Sequence, residues 1–153
     1  MDLPFAKMID MPPVWLALFL GLVWLQGTYL PVGPAPGPAV RLLGGALILG
    51  GLALILVAAW EFRRHRTTVV PHLAPDALVT SGVFALSRNP IYLADALILA
   101  GCALRWHAWP ALLLVPVFMA LIARRFIAGE EARLRAAFGE AFDDYARKVR
   151  RWL

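Results

Sequence analysis

An arginine, an asparagine and a tyrosine stand together in the stretch LSRNPIY, residues 86–92, where a polar segment meets an apolar one. Asn89 followed by Pro90 is typical of the N-cap and first position of a helix, whose free backbone N–H groups favour an anionic ligand. Arg88 adds a positive charge at the same place, so these residues could bind a carboxylate. The alternative is that Arg88 reaches lipid headgroups and Asn89 only caps the helix.

Acidic residues with a possible chemical role lie at two further places. Glu130 and Glu131 follow the last apolar segment, where a carboxylate could receive a cationic group of a ligand. The alternative for Glu131 is an ordinary helix start with an i,i+4 pair to Arg135. Asp95 lies one turn inside an apolar segment, where a carboxylate is a candidate functional group. It could equally face a recess or pair with Arg88.

The three histidines are scattered and lack spaced acids, so no metal site is expected. His72 could form hydrogen bonds or transfer a proton, or it could be a loop residue without a role. Cys102 is the single cysteine, which excludes an intrachain disulfide. The glycine-rich stretch GGALILGG lies within an apolar segment and follows no strand, so neither a Rossmann fingerprint nor a P-loop is indicated.

The composition indicates a membrane protein. Hydrophobic residues make up 61% of the 153 residues, and the mean hydropathy of +0.70 is too high for an ordinary soluble domain. The net charge of +5 could suggest nucleic-acid binding. However, the basic residues cluster beside apolar segments, which favours membrane topology and no nucleic-acid partner.

The apolar segments predict one all-α, polytopic membrane domain over residues 1–153. The last two predicted helices are separated by RWHA and form a helical hairpin, whose first arm is short for a full crossing. Four glycines in the second segment, Gly44, Gly45, Gly50 and Gly51, allow close helix packing. The four predicted transmembrane helices are 13–30, 40–60, 90–104 and 109–127, with a cofactor loop at 61–89 and a helical tail at 128–153.

The positions of the basic residues predict the orientation. They follow the second and fourth segments and crowd the tail, whereas the opposite loops carry Arg41 and Arg105. By the positive-inside rule, both termini, the central loop and the tail face the cytoplasm, as in a bacterial inner-membrane protein.

The tail has the periodicity of an amphipathic helix, which Gly139 could divide into two. Its apolar face is expected to lie on the membrane surface or over the central loop. The residues on that face are Leu134, Phe138, Ala141, Phe142, Tyr145 and Val149.

The order of these pieces resembles the isoprenylcysteine carboxyl methyltransferase and phospholipid methyltransferase superfamily of integral membrane enzymes. The matching stretches are PHLAPDALVTSGVFALSRNPIY and, after the hairpin, GEEARLRAAFGEAFDDYARKVRRW, within residues 66–152. Each motif is weak singly, but their order and spacing together are specific. The resemblance implies S-adenosylmethionine bound at the cytoplasmic end of the hairpin, without a Rossmann domain.

The resemblance also implies which residues serve the cofactor. A helix N-terminus with Arg88 suits its carboxylate, a glutamate suits its ammonium, and the backbone of LVTSG suits the adenine edge. Arg88, Asn89 and Glu131 are the expected catalytic residues. The expected cofactor-binding residues are His72, Leu78, Val79, Thr80, Gly82, Arg88, Asn89, Tyr92, Glu130, Glu131, Tyr145 and Arg150.

The methyl acceptor and the oligomeric state stay open, although membrane lipids and a lipophilic acceptor are the expected partners. The carboxylate of an isoprenylcysteine-like lipid comes first, because a carboxylate needs no base and the sequence offers no decisive one. A phospholipid amine or a small thiol is the alternative, since Asn89 replaces the histidine of the eukaryotic enzymes. A four-helix transporter would carry an acid deep in an early helix, but none precedes Glu61 in the first two segments.

Overall fold

The computed structural model describes residues 10–65 and 77–153, and these are predominantly helical, as the sequence predicts. Short 3-10 turns at Gly82–Ala85 and Trp109–Leu113 precede the third and fourth helices, and a π-helical turn at Ala123–Ile127 joins the fourth to the fifth without a break. The helices are α1 Pro12–Tyr29, α2 Pro38–Arg64, α3 Pro90–Arg105, α4 Leu114–Ile122, α5 Ala128–Phe138 and α6 Glu140–Lys148.

Two helices in the described part of the chain are long and apolar enough to cross a membrane. They are Pro38–Arg64 and the continuous helix Trp109–Phe138, and their most apolar windows are 17% and 28% buried inside the protein. A core helix of a soluble protein would be mostly buried, so this low burial is typical of helices that cross a membrane. Helix α1 has 18 residues and α3 has 16. Crossings by these two helices, and hence the four-helix topology, stay predictions.

Helices α2 and α3 pack with their backbones in close contact. A Cβ atom added at Gly44 would lie 2.7 Å from the carbonyl oxygen of Gly101, and one at Gly51 would lie 2.8 Å from another carbonyl of α3. Gly50 faces open space, and Gly45 has just an arginine side chain nearby. Two of the four predicted glycines therefore form the interface. Small residues are common at helix contacts in membranes. The hydrophobic effect does not drive helices together in lipid, so close van der Waals packing stabilises the contact instead.

The largest buried cluster lies where α1, α3 and α4 meet. Phe19 of α1 and Phe118 of α4 pack edge to face with ring centroids 5.3 Å apart, and Leu99 of α3 and Ile122 of α4 belong to the same cluster. The cluster fixes α4 against α3, and so it also fixes the helix that continues from α4 toward the acidic residues.

The turn from α3 to α4 lies against the loop that follows α1. His107 adopts a positive φ of 59° within this turn. Its ring nitrogen lies 2.9 Å from the carbonyl oxygen of Gly33, and the indole N–H of Trp109 donates to the carbonyl of Pro34 over 2.9 Å. These contacts join the two loops at the end of the protein opposite the start of α3.

The tail folds back over the segment that precedes α3. The chain breaks at Gly139, where φ is 52°, as predicted. Beyond the break, Phe142 and Tyr145 of α6 are buried, and the hydroxyl of Tyr145 donates to the carbonyl of Phe84 over 2.6 Å. Of the two predicted positions for the apolar face of α6, packing over the central loop is the one observed.

Candidate active site

A cleft lies between the start of α3, the start of α5, helix α6 and the segment before α3. Apolar side chains that the sequence did not assign to the cofactor form much of its wall, namely Phe62, Ala77, Phe84, Leu134 and Phe142. The predicted cofactor residues on its wall are Leu78 and Val79 from the loop, Arg88 and Asn89 at α3, and Glu130, Glu131 and Tyr145 from the tail. The structure therefore brings together predicted residues that are far apart in sequence, from Leu78 in the loop to Tyr145 in α6.

Glu131 is held between two arginines. Its carboxylate lies 3.0 Å from Nη2 of Arg88, and Arg151 approaches it with two nitrogens, at 3.0 and 2.6 Å. The hydrogen bonds to Glu131 raise the pKa of Arg151 above its ordinary value. The alternative interpretation, an i,i+4 pair between Glu131 and Arg135, is wrong, because Arg135 pairs with Asp143 of α6 over 2.8 Å.

Arg88 is the cationic side chain that lines the described part of the cleft, and it is largely buried. Its side chain is 14% exposed, and its Nη1 donates to the carbonyl of Ala146 over 3.3 Å. Its Nε is buried and, within residues 10–65 and 77–153, has no hydrogen-bond acceptor. An unsatisfied buried N–H group costs about 1–3 kcal/mol, so an acceptor brought by a ligand would be bound favourably here.

The tail crosses the start of α3. The backbone N–H of Arg88 donates to the carbonyl of Arg150 over 3.0 Å, and Nδ2 of Asn89 donates to the carbonyl of Arg151 over 3.0 Å. Asn89 occupies the N-cap position, but its side chain does not cap the helix. Arg150 takes part through its carbonyl while its side chain is exposed. The neighbouring Arg151, which the sequence did not indicate, reaches Glu131 instead.

Tyr92 links α3 to α5. Its hydroxyl donates to Oε1 of Glu130 over 2.7 Å, and the tyrosine is buried. The π-helical turn Ala123–Ile127 ends just before Glu130. Such turns frequently occur at functional sites because they change which face of a helix the following residues occupy. Tyr92 therefore does not line the cleft itself, but it orients one of the two glutamates that do.

Gly82 contacts a buried acid. Its φ is 57°, and an added Cβ would collide with the carboxylate of Glu61. Glu61 is 4% exposed, and it accepts a hydrogen bond from the hydroxyl of Ser81 over 3.0 Å. Thr80, between these residues and the cleft wall, is exposed. The sequence did not indicate Glu61, although an acid at the end of an apolar segment was a signal that could have identified it.

Tyr145 closes the cleft from α6. Burial raises the pKa of its hydroxyl to about 12, and the nearby Arg88 guanidinium offsets the effect in part. At neutral pH this hydroxyl is therefore protonated, which suits the hydrogen bond that it donates to Phe84. A buried tyrosine of this kind can position neighbouring groups but cannot act as a base near pH 7.

Two further predictions concern His72 and Asp95. His72 lies outside the described residues, so its role stays a prediction. Asp95 does not pair with Arg88, because that arginine pairs with Glu131. In the described part of the chain, no group of three or more His, Cys, Asp and Glu side chains is arranged to hold a metal ion.

A sequence model of the family described as phospholipid methyltransferase matches residues 39–141, about two-thirds of the chain. The chain belongs to the phospholipid methyltransferase family. The match runs from α2 to the start of α6 and includes the wall of the cleft except Phe142 and Tyr145. No curated protein and no solved structure matches the chain.

Family membership gives the cleft a chemical context. A phospholipid methyltransferase with long apolar helices is an integral membrane enzyme, and methyltransferases of this type generally use S-adenosylmethionine. The transporter alternative loses its support. The cleft fits that cofactor in three respects: Arg88 has a buried N–H without an acceptor among the described residues, Glu130 and Glu131 lie on the same wall, and most of the remaining wall is apolar.

Proposed function

We propose that this phospholipid methyltransferase binds S-adenosylmethionine in the cleft at the start of α3 and methylates the headgroup of a membrane lipid, with a phospholipid amine as the first candidate. The observation that carries the proposal is the buried, unsatisfied Nε of Arg88 in a cleft that also holds two glutamates. A group that binds there must supply an acceptor to Arg88 and tolerate a cation-binding carboxylate nearby. An amino acid's carboxylate and ammonium meet both conditions.

In this proposal, different residues of the cleft bind different parts of the cofactor. Arg88 and the start of α3 hold its carboxylate, and Glu130 or Glu131 holds its ammonium. The backbone of residues 78–80 and the ring of Phe84 receive the adenine. Tyr145 covers the site from α6, with its hydroxyl fixed on the segment before α3. When bound, the cofactor supplies an electrophilic methyl group on a sulfonium.

The protein's contribution to rate is then chiefly one of position. Methyl transfer is an in-line displacement, so holding the acceptor atom and the sulfonium in line lowers the barrier without a covalent enzyme intermediate. The cleft opens where α3 begins, close to where a lipid headgroup would lie if α3 crosses the membrane with its start at the cytoplasmic face. In this topology all four apolar helices cross and both termini are cytoplasmic.

The charge of the cleft guides our choice of methyl acceptor. The sequence favoured the carboxylate of an isoprenylcysteine-like lipid because it offered no base. The description of the matching family favours a phospholipid, and Glu130 in the cleft wall favours a cationic headgroup over an anionic one. We therefore put the phospholipid amine first, with the isoprenylcysteine carboxylate and a small thiol as competing acceptors.

Calorimetric titration of S-adenosylmethionine into the detergent-purified protein tests the cofactor site. We expect saturable binding that Arg88→Ala and Glu131→Gln each weaken by about tenfold or more, as loss of a charge-assisted hydrogen bond predicts. Arg124→Ala and Glu140→Gln are matched controls, because both side chains are exposed and lie outside the cleft. A folded wild-type protein that fails to bind, even with lipids and acceptors added, would overturn the proposal.

Transfer of labelled methyl groups to lipid vesicles tests the acceptor. Vesicles containing an ethanolamine phospholipid, a lipid-anchored isoprenylcysteine or a lipid thiol are compared at equal acceptor content. Labelling of the ethanolamine phospholipid supports the proposed acceptor. Labelling confined to the isoprenylcysteine carboxylate would leave the cofactor site standing and return the carboxylate to first place.

A further inference from the structure

Asp95 is a buried carboxylate without a partner in the described part of the chain. It lies in the second turn of α3 and is 6% exposed. Within residues 10–65 and 77–153 it accepts no hydrogen bond and forms no ion pair; Arg88, the cation that the sequence offered as its partner, is bound to Glu131. The proposed binding of the cofactor makes no use of it.

An unpaired carboxylate in this position is energetically unfavourable when ionised. Removing a charge from water without a partner costs several kcal/mol, and intramembrane acids therefore pair with a cation, bind a proton or face a substrate path. Simple packing would be served as well by an asparagine or leucine. A ligand that brings a positive charge would relieve the cost.

The position of Asp95 relates it to the cleft. It follows Tyr92 at i,i+3, and residues at this spacing on a helix are neighbours. It is also about 4.5 Å further along the helix axis, at 1.5 Å per residue. Tyr92 donates to Glu130, which lines the cleft. Asp95 therefore lies about one turn further along α3 than Tyr92, whose hydrogen bond joins it to the cleft wall.

We propose that Asp95 receives the ammonium headgroup of the acceptor lipid and takes one proton from it before methyl transfer. The inference rests on the proposed function. The proton passes from nitrogen to a carboxylate oxygen of Asp95, which leaves a neutral amine with a free electron pair. That nitrogen then bonds to the methyl carbon while the bond from carbon to sulfur breaks, and the electron pair of this bond stays on sulfur. The product is a protonated methylamine.

The groups around Asp95 suit a cationic headgroup. Tyr92 on the same helix donates its hydrogen bond to Glu130 on α5, which lines the cleft. Asp95, Glu130 and Arg133 of α5 all interact electrostatically with Tyr92. Cys102, two turns further along α3, is neutral and buried. Two carboxylates near one path attract an ammonium and repel a carboxylate acceptor.

Binding without the cofactor gives the first test. Lysophosphatidylethanolamine and lysophosphatidylglycerol are titrated into the detergent-purified protein, its Asp95→Asn and Asp95→Glu variants, and the control Cys102→Ser on the same helix. We expect Asp95→Asn to weaken binding of the ethanolamine lipid about tenfold and to leave the glycerol lipid unchanged. Cys102→Ser should match the wild type for both lipids.

Turnover with two amines gives the second test. One acceptor is an ethanolamine phospholipid; the other carries a 2,2-difluoroethylamine headgroup, which is largely unprotonated near pH 7 and needs no proton acceptor. Asp95→Asn should lower kcat about 100-fold for the ethanolamine lipid, the scale of a lost general base. The fluorinated lipid should lose less than about threefold. Asp95→Glu, which moves the carboxylate by one methylene, should show a smaller loss confined to the ethanolamine lipid.

The outcomes separate the two proposals. Binding of S-adenosylmethionine by Asp95→Asn at wild-type affinity shows that the cleft is intact in the variant. Wild-type behaviour of Asp95→Asn with both amines, or an equal loss with both, would overturn the role of Asp95. An unfolded Asp95→Asn leaves the test to Asp95→Glu, for which an equal loss with both amines overturns it. A wild type that binds the cofactor but methylates a carboxylate and no amine would overturn this inference while the methyltransferase proposal stands.

Discussion

Helix α3 is held in two different ways, along its side and at its start. Along its side, the carbonyls of α3 touch the glycines of α2, and Arg105 of α3 adds a hydrogen bond to a carbonyl of α2. At its start, the tail is attached through Arg88, Asn89 and Glu131 by ion pairs and backbone hydrogen bonds. The side contact tolerates no added atom, whereas the polar contact can exchange one partner for another. The first suits a permanent scaffold, and the second suits a site that must admit a ligand.

The largest effect is expected from filling the side contact. In Gly101→Leu, the added Cβ would lie 2.5 Å from the carbonyl oxygen of Gly44 and 2.8 Å from Cγ1 of Ile48, so the helices must separate. We expect a loss of about 3 kcal/mol or more of unfolding free energy, the upper range for overpacking. Unfolding in mixed micelles measures it. Gly50→Leu is the matched control, because nothing lies near Gly50 and its effect should stay below about 0.5 kcal/mol. Equal losses for the two variants would contradict the close contact.

The next effect is expected from the polar contact. Glu131→Ala leaves Arg88 and Arg151 without their shared carboxylate, and both Glu131 and Arg88 are 14% exposed. Leaving a buried charge unpaired costs about 3–5 kcal/mol, and the partial exposure lowers our expectation to about 2 kcal/mol. The same micelle unfolding measures it, with Glu140→Ala as the exposed control. A loss below about 0.5 kcal/mol would show that the tail is not held through Glu131.

These two contacts differ in how far the sequence could predict them. The apolar segments, the short hairpin turn and the break at Gly139 follow from local signals, namely hydropathy and turn residues, and agree with the structure. The sequence predicts Gly44 and Gly51 as packing residues, but it gives no reason to exclude Gly50. Which side of α2 meets α3 depends on the neighbouring helix.

The polar contact was harder to predict. The local i,i+4 rule pairs Glu131 with Arg135, but the fold at Gly139 brings Asp143 to Arg135 and leaves Glu131 to Arg88 and Arg151. Tertiary packing decides which residues distant in sequence become partners, and the spacing of residues along one helix carries no information about that packing. The family resemblance grouped distant residues, seven of which the structure brings to one cleft wall, because it carried the long-range order that periodicity lacks.

A smaller effect is expected from the hydroxyl of Tyr145. Burial raises the pKa of Tyr145 to about 12 from an ordinary value near 10, so the folded state retains the phenolic proton longer than the unfolded state. The stability that this provides is fully present below pH 10 and is lost as pH rises toward 12. Tyr145→Phe removes the titrating group and should flatten this part of the stability profile. Unfolding measured between pH 9 and 12 checks it, and parallel slopes for the two proteins would contradict the assignment.

The smallest effect is expected from an ion pair of the tail that resembles the Glu131 cluster in composition but not in burial. Arg135 and Asp143 are 2.8 Å apart, with side chains 56% and 42% exposed. Asp143→Asn keeps the size of the side chain and leaves Arg135 stacked on the ring of Phe142, 5.4 Å from its centroid. Exposed pairs contribute about 0.2–1 kcal/mol, so we expect a loss below about 0.5 kcal/mol and unchanged binding of S-adenosylmethionine. Unfolding at low and high salt measures it. A loss as large as that of Glu131→Ala would mean that burial does not distinguish the two contacts, and that α6 is fixed by its surface charges and not by the cleft.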